Sequence, residues 1–310
     1  MKRFKNILFV ADREDGLQAA LERAVSVAQT NQARLTVMDI TPETGLADYF
    51  RQSFGIDLNA QLREHRLEAL NALMGPHTDA GHAIYTKVVT GTPFIEVVQA
   101  VQRNGYDLVI KVAQHNTGLA ATLFGSTDMH LLRKCPCPVW IDRPAETTAY
   151  QRVLAAVDPF DDESGNLQRL ILDLATPLAE REQAALEVVH AWALPGESIL
   201  RNSRGRIPDN ELELLLQNRE EHHRKGLNAL LSHYDLDTGK ENVHLVKGKP
   251  ALVISDCATK QKLDLIVMGT LGRAGIPGLI IGNTAKDVLS EARTALLAVK
   301  PSGFVSPVTR

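Results

Sequence analysis

Glycine dominates the segment GTLGRAGIPGLIIGNT, which holds five glycines and one proline late in the chain. The segment follows an apolar run typical of a buried strand and precedes a run typical of a helix. Gly269 and Gly272 carry no side chains, so a ligand could lie against their backbone. Gly282, Asn283 and Thr284 stand at the helix start, where unpaired N–H groups and the helix dipole favour a phosphate. Composition alone leaves two alternatives open, a phosphate-binding loop or a plain connection with ordinary helix caps.

Common motifs of nucleotide-using and hydrolytic enzymes are missing from the sequence. It has no GxxxxGK[ST], no GxGxxG after the first strand and no GxSxG. P-loop kinases, dinucleotide oxidoreductases and serine hydrolases are therefore disfavoured, and no catalytic residue is predicted. Asp161, Asp162 and Glu163 could hold magnesium beside a triphosphate, but an exposed helix start, where acids complement the helix dipole, is favoured.

The histidines do not predict a metal site. His222, His223 and His233 lie on one predicted helix, but their spacing gives no shared ligand face, so a solvated helix face is predicted. His190 and His244 lie in predicted strands, which keeps adventitious zinc as the weaker alternative.

The chain has only three cysteines, and this small, odd number fits a reducing compartment. Cys135 and Cys137 are spaced CxC rather than CxxC, and a structural role near a strand entrance is favoured over a redox or metal role. The segment MKRFKNILFVADRED lacks the apolar core and cleavage site of a signal peptide. A cytoplasmic location is therefore expected.

Length and charge limit the size class and the partners of the chain. Its 310 residues suit two domains of about 150 residues each. Apolar residues make up 44% and charged residues 23%, which is typical of a folded globular protein. A net charge of -3 disfavours nucleic acid as a partner, and no apolar stretch reaches the roughly 18 residues of a membrane span. No nucleic-acid or membrane partner is expected.

The sequence contains an internal repeat. FKNILFVAD at 4–12 matches YQRVLAAVD at 150–158 with a shift of 146 residues. YDLVI and GSTDMHLL match LDLIV and GNTAKDVL with a shift of 157 residues. The repeat predicts two domains, at residues 1–145 and 150–303, joined by a short polar stretch.

Short apolar runs alternate with longer segments of helical period in each half, which indicates parallel strands joined by crossover helices. The predicted fold class is α/β, with two tandem open parallel five-stranded sheets, flanking helices and a Rossmann-like arrangement. Ligands of such sheets bind beyond the carboxyl ends of the strands, where the strand order reverses. The predicted strands are 6–11, 34–40, 84–89, 108–112 and 139–142, then 153–157, 185–191, 242–247, 264–268 and 295–299. The predicted helices of the first half are 15–31, 58–74, 93–104 and 126–134.

The spacing Gly-x2-Gly-x9-Gly-Asn in the quoted segment resembles the ATP-binding pattern of the universal stress protein family, and the resemblance covers nearly the whole chain in tandem. The strand-end aspartates Asp12 and Asp158 and the stretches LLRKCPCPVW, GNTA and KPSGFVSPV are similar as well. The resemblance implies an adenine nucleotide alpha hydrolase-like fold and a stress-response regulator rather than an enzyme. A slow ATPase or a nucleotide- or phosphoryl-transfer enzyme of the same fold, and a ligand-free scaffold, are the alternatives.

The resemblance further implies that the second half binds ATP, with magnesium left open. The aspartate after the first strand of nucleotide-binding members contacts adenine, and Asp158 holds that position here. Val189 in the second strand matches a residue whose backbone contacts the base. The residues matching the ribose and phosphate segments are Met268, Gly269, Gly272, Gly282, Asn283 and Thr284. Asn283 replaces the usual serine, which changes a hydroxyl contact.

The first half departs from this pattern. At the shift of 157, Val112 and His115 stand in place of the two loop glycines, although 125–127 keep the distal end. Side chains would then fill the triphosphate space, so a degenerate site, or a site for a different and unknown ligand, is expected. Lys111 and His115 suggest phosphate contacts, but a loop histidine is more typical of a surface. Asp12 is weak support, because a strand-end aspartate usually caps the following helix.

In single-domain members of the family, the last strands of two chains pair across a twofold axis. The resemblance implies that the fused halves replace this dimer internally, with Val139–Asp142 pairing Leu296–Val299, because an unpaired apolar edge strand is a liability. Protein partners of unknown identity are expected, and a further homodimer is left open.

Overall fold

The computed structural model forms two compact units. Unit 1 contains the described residues up to Ala149 and those from Ala295 onwards, and unit 2 contains those from Tyr150 to Thr270 and from Gly282 to Thr294. The residues that the structure describes are 3–12, 16–43, 45–79, 83–113, 125–143, 149–161, 166–202, 207–270, 282–291 and 294–309.

Unit 1 alternates strands and helices, as the apolar runs predict. Its elements are β1 (Asn6–Val10), α1 (Leu17–Asn31), β2 (Arg34–Thr41), α2 (Ala47–Phe54), α3 (Leu58–Asp79), β3 (Ile84–Thr90), α4 (Pro93–Asn104), β4 (Leu108–Val112), α5 (Ser126–Lys134) and β5 (Val139–Asp142). The last strand of the chain, β10 (Ala295–Val299), also belongs to this unit.

The sheet of unit 1 has the order β3-β2-β1-β4-β5-β10. Its first five strands run parallel, and β10 pairs antiparallel with β5, with Leu297 opposite Trp140. The predicted pairing of Val139–Asp142 with Leu296–Val299 is therefore present. The strand order reverses between β1 and β4, which is the position where ligands of open α/β sheets bind.

Unit 2 repeats the pattern. Its elements are β6 (Arg152–Ala156), α6 (Leu167–Glu182), β7 (Ala185–Trp192), α7 (Glu197–Asn202), α8 (Asp209–Leu231), β8 (Val243–Lys247), α9 (Pro250–Lys260), β9 (Leu265–Gly269) and α10 (Asn283–Glu291). The strands follow the parallel order β9-β6-β7-β8, so the order reverses at β6 and β9.

The central strands are buried on both faces, which explains their continuous apolar runs. Residues 7–10 of β1 and 265–268 of β9 are all buried. The mostly parallel α/β fold with flanking helices is confirmed. The short helices α2 and α7 were not predicted.

Candidate functional site

Unit 2 gathers the sequence-predicted residues at the carboxyl edge of its sheet. Ala156, the last residue of β6, pairs with Val189 of β7 on one side and with Met268 of β9 on the other. Val189 and Met268 are buried, and Asp158 lies two residues beyond β6 and is partly exposed. These residues thus occupy one edge at the reversal of strand order.

A tight turn fixes the backbone around Asp158. The Asp158 N–H donates to Gln168 Oε1 at 2.8 Å, and the Asp158 carboxylate accepts the Phe160 N–H at 3.2 Å. The Asp161 N–H donates to the Asp158 carbonyl at 3.0 Å. Helix α6 and the turn therefore hold the aspartate in place.

The two ends of the glycine segment lie next to each other. The Gly282 N–H donates to the Thr270 carbonyl at 3.0 Å, and the Lys286 N–H donates to the Gly282 carbonyl at 2.9 Å as α10 begins. Thr284, in the first turn of α10, is partly exposed. Asn283 is the first residue of α10, as predicted, and Gly272 lies outside the described residues.

Gly269 has a packing reason to be glycine. A Cβ at this position would lie 2.9 Å from Leu167 Cδ2 at the start of α6, closer than real Cβ atoms approach. Open space for a ligand is therefore not needed to explain this residue. Its absent side chain allows β9 and α6 to come together beside Asp158.

His190 and His223 form a buried pair near this turn, and the predicted solvated face is wrong for His223. His190 Nε2 lies 2.8 Å from His223 Nδ1, and His190 Nδ1 lies 3.1 Å from the Val157 carbonyl oxygen. His223 is 6% exposed and stacks on Trp192. Burial and the neighbouring His190 lower the pKa of His223 to about 4, so its ring is neutral at pH 7.

Phe160 packs on the same histidines. Its ring stacks on His222 at a centroid distance of 4.5 Å and meets His223 edge-on at 4.8 Å. A Cβ at Gly226 of α8 would lie 2.4 Å from Phe160 Cζ, so this glycine admits the ring. The turn that contains Asp158 is therefore packed against α8 through this aromatic cluster.

The acidic run and the histidines gather no metal ligands in the part of the chain that the structure describes. No group of three or more His, Cys, Asp or Glu residues there could hold a metal ion. Asp161 accepts from Gln168 Nε2 at 3.3 Å, and His244 pairs with Glu187 at 2.8 Å. Asp162 and Glu163 lie outside the described residues.

The equivalent edge of unit 1 holds a buried ion cluster, which sequence reasoning missed. Lys111 Nζ lies 3.0 Å from an Asp12 carboxylate oxygen and 3.0 Å from an Asp128 carboxylate oxygen. It also donates to the Val112 carbonyl at 2.8 Å, and its side chain is 0% exposed. Lys111 is thus paired within the protein, which argues against the phosphate contact that the sequence suggested for it, and His115 lies outside the described residues.

Asp128 also serves the start of α5. Its carboxylate accepts the Gly125 N–H at 3.1 Å, so an acidic side chain already occupies this helix start. Burial raises the pKa of Asp12, and the charge of Lys111 opposes that shift. Lys111 therefore partly offsets the effect of burial on Asp12.

The geometry defines a tandem α/β protein whose two units each bring strand ends, an aspartate and a helix start to one sheet edge. The model of the universal stress protein family matches residues 3–143 and 149–300. The chain therefore belongs to the universal stress protein family, a family of stress-response proteins. It is 31% identical to universal stress protein E of Escherichia coli K12, over 99% of this chain and 98% of that protein.

Solved structures show the same fold. A functionally unknown protein from Pseudomonas aeruginosa PAO1 matches with a TM-score of 0.75 and 24% identity, over 98% of this chain and 95% of that chain. A universal stress protein from Archaeoglobus fulgidus DSM 4304 matches with a TM-score of 0.61 and 17% identity, over 95% and 98%. Among the described residues, no helix is long and apolar enough to cross a membrane.

Proposed function

We propose that the protein is a cytoplasmic stress-response regulator that binds ATP in unit 2 and changes its contacts with protein partners accordingly. The adenine contacts Asp158 and the backbone of Val189. Met268 and the loop glycines Gly269 and Gly272 line the ribose side, and Gly282, Asn283 and Thr284 hold the phosphates. The protein acts as a binding module and not as an enzyme.

The difference between the two sheet edges carries this proposal. Unit 1 places the Asp128 carboxylate at the start of α5, whereas α10 of unit 2 has Ala285 at the corresponding position. A helix start without an acidic side chain offers its N–H groups and dipole to an external anion. Thr284 adds a partly exposed hydroxyl group.

The hydrogen-bonding groups of unit 2 also suit an adenine base. Asp158 is partly exposed and can accept hydrogen bonds from an exocyclic amine. Its orientation is set by the turn and by Gln168, so little ordering is required on binding.

Isothermal titration of the full-length protein with ATP and magnesium tests the proposal, together with native mass spectrometry of any retained nucleotide. We expect one nucleotide per chain. Asp158→Ala should weaken binding by at least about tenfold, because a hydrogen bond to a charged group is lost. Asp12→Ala in unit 1 is the matched control and should leave the affinity unchanged.

Two results would contradict the proposal. One is failure of the wild-type protein to bind any adenine nucleotide, which would favour a scaffold. The other is loss of binding in Asp12→Ala but not in Asp158→Ala, which would move the site to unit 1. ATP turnover faster than about once a minute would instead favour an enzyme.

A further inference from the structure

Two thiols lie side by side between α5 and β5 in unit 1. Cys135 is the C-cap of α5, and its N–H donates to the Leu131 carbonyl at 2.9 Å. Cys137 precedes β5, and the two Sγ atoms are 3.6 Å apart. Both cysteines are reduced; Cys135 is 0% exposed and Cys137 is 8% exposed. Secondary structure on both sides thus holds a buried dithiol in place.

The antiparallel register of β5 and β10 brings a lysine to these thiols. β10 places Ala298 opposite Val139. Continued by two residues, the same register places Lys300 opposite Cys137. Lys300 is 4% exposed, and its Nζ lies 5.2 Å from the centroid of the Phe304 ring.

Lys300 is a buried cation that requires an anion. Among the described residues, no hydrogen-bond acceptor meets its Nζ. Burial lowers the pKa of Lys300 to about 8, against the opposing charges of Cys135 and Cys137, so it is still mostly protonated at pH 7. An unpaired buried ammonium group is costly, which makes a thiolate its natural counter-ion.

The two thiols differ in the direction of their pKa shifts. Burial raises the pKa of Cys135, but the hydrogen bond from Cys137 and the charge of Lys300 outweigh burial and leave it lowered. The pKa of Cys137 is raised, by its hydrogen bond to Cys135, by burial and by the charges of Cys135 and Asp107. Cys135 is therefore the more acidic thiol of the pair.

We propose that Cys135, Cys137 and Lys300 form a peroxide-reactive dithiol site that closes to an intramolecular disulfide. Cys135 is the nucleophile, Cys137 is the resolving thiol and Lys300 stabilises the Cys135 thiolate. The site is independent of nucleotide binding in unit 2.

The chemistry balances with hydrogen peroxide as the oxidant. The Cys135 thiolate attacks one peroxide oxygen, the O–O bond breaks, and a sulfenic acid forms while the departing hydroxide takes a proton to become water. The Cys137 sulfur then attacks the Cys135 sulfur, releasing a second water as the S–S bond forms. Two thiols and one peroxide thus give one disulfide and two waters.

Cys257 provides an internal control. Burial raises its pKa to about 11, with the charge of Glu187 acting in the same direction, so almost no thiolate is present at pH 7. A general oxidation of accessible cysteines would also oxidise Cys257. A reaction specific to the dithiol site would leave Cys257 reduced.

Peptide mapping of the full-length wild-type protein tests the proposal after brief exposure to hydrogen peroxide and quenching with iodoacetamide. We expect the peptide with Cys135 and Cys137 to lose two hydrogen atoms and to resist alkylation. Its oxidation should be at least about tenfold faster than that of Cys257. Alkylation of both thiols after exposure, or oxidation no faster than that of Cys257, would overturn the proposal. Disulfides found only between chains would do the same.

Two variants separate the roles. Lys300→Met should raise the pH at which Cys135 is half-alkylated and slow its oxidation at least about tenfold. Cys137→Ser should stop the reaction at the sulfenic acid, which dimedone traps on Cys135. An unchanged alkylation profile in folded Lys300→Met would refute the role of the lysine. The wild-type mapping decides the disulfide itself even where a variant fails to fold.

Discussion

The same sheet edge is built differently in the two units. Unit 1 places Lys111 between Asp12 and Asp128, all three nearly or fully removed from water. The repeat puts Met268 of unit 2 where unit 1 has Lys111, and Ala285 where unit 1 has Asp128. The aspartate after the first strand is present in both units.

The two units thus keep the same strand arrangement and aspartate at this edge but place different side chains beside them. In unit 1 a buried cation pairs with two carboxylates, and one of these, Asp128, also accepts an N–H at the start of α5. In unit 2 the corresponding helix start has no acidic residue in its first turn. The two units therefore differ at two matched positions, where unit 1 has a buried ion pair and unit 2 has Met268 and Ala285.

The largest effect is expected from Lys111→Met in unit 1. The variant leaves Asp12 and Asp128 buried without their cation, which should destabilise the protein by about 3–5 kcal/mol. Urea denaturation followed by circular dichroism measures this loss.

A triple variant is the control for this loss. Asp12→Ala, Lys111→Met and Asp128→Ala together remove every charge of the cluster, so most of the stability should return. If Lys111→Met alone costs less than about 1 kcal/mol, the cluster is not the buried ion network described.

The long helices α3 of unit 1 and α8 of unit 2 each contain a glycine, and replacing these glycines by alanine gives a second comparison of the two units. Gly226→Ala in α8 should destabilise unit 2 by about 1–3 kcal/mol, because its Cβ would lie 2.4 Å from Phe160 Cζ. Gly75→Ala in α3 meets nothing within 4 Å and should stabilise unit 1 by up to about 1 kcal/mol. Thermal unfolding measures the stability change of each variant. If both variants change stability in the same direction, the packing of Phe160 against Gly226 is contradicted.

Converting the edge of unit 2 towards that of unit 1 should weaken nucleotide binding. Ala285→Asp places an acidic side chain at the start of α10, where it would repel a phosphate, and should weaken ATP binding at least about tenfold. Ala285→Asn is the control, because it has nearly the same shape without the charge. Titration calorimetry that gives the two variants equal affinity would show that phosphates do not lie there.

The pH dependence should differ between the units. The folded-state pKa of His223 is about 4, below its ordinary 6.5, so unit 2 should lose stability as the pH falls from about 6.5 to about 4. Burial instead raises the pKa of Asp12 and Asp39 in unit 1, so these groups favour folding more as the pH falls towards 3.8.

Hydrogen exchange of the β6 and β1 amides measures this difference within one molecule. Acidification should speed exchange in β6 relative to β1, by on the order of 1–2 kcal/mol in opening free energy. His223→Phe should remove most of the acid sensitivity of unit 2. Identical pH profiles for β1 and β6 would show that His223 does not make unit 2 sensitive to acid.

The sequence predicted the strands and most helices because the apolar periodicity and the repeat report the same elements twice. Helices α4 and α5 begin and end where the pattern placed them. Helix α2 was missed because its aromatic residues are largely exposed and its eight residues give little periodicity.

Side-chain partners were harder to predict. Lys111 and Asp128 lie 17 positions apart in the sequence, and no local spacing indicates that they meet. A signal did exist for His223, because Leu227 and Leu231 follow it at helical spacing and are buried with it. The solvated helix face predicted for His223 was a general expectation for histidine, whereas this apolar stripe was specific to the sequence.

The place of β10 affects how the protein is made. A ribosome completes residues 1–149 long before Ala295 emerges, so nascent unit 1 has the edge of β5 unpaired until β10 has been synthesised. A premature stop before Ala295 would leave that apolar strand edge permanently open to other chains.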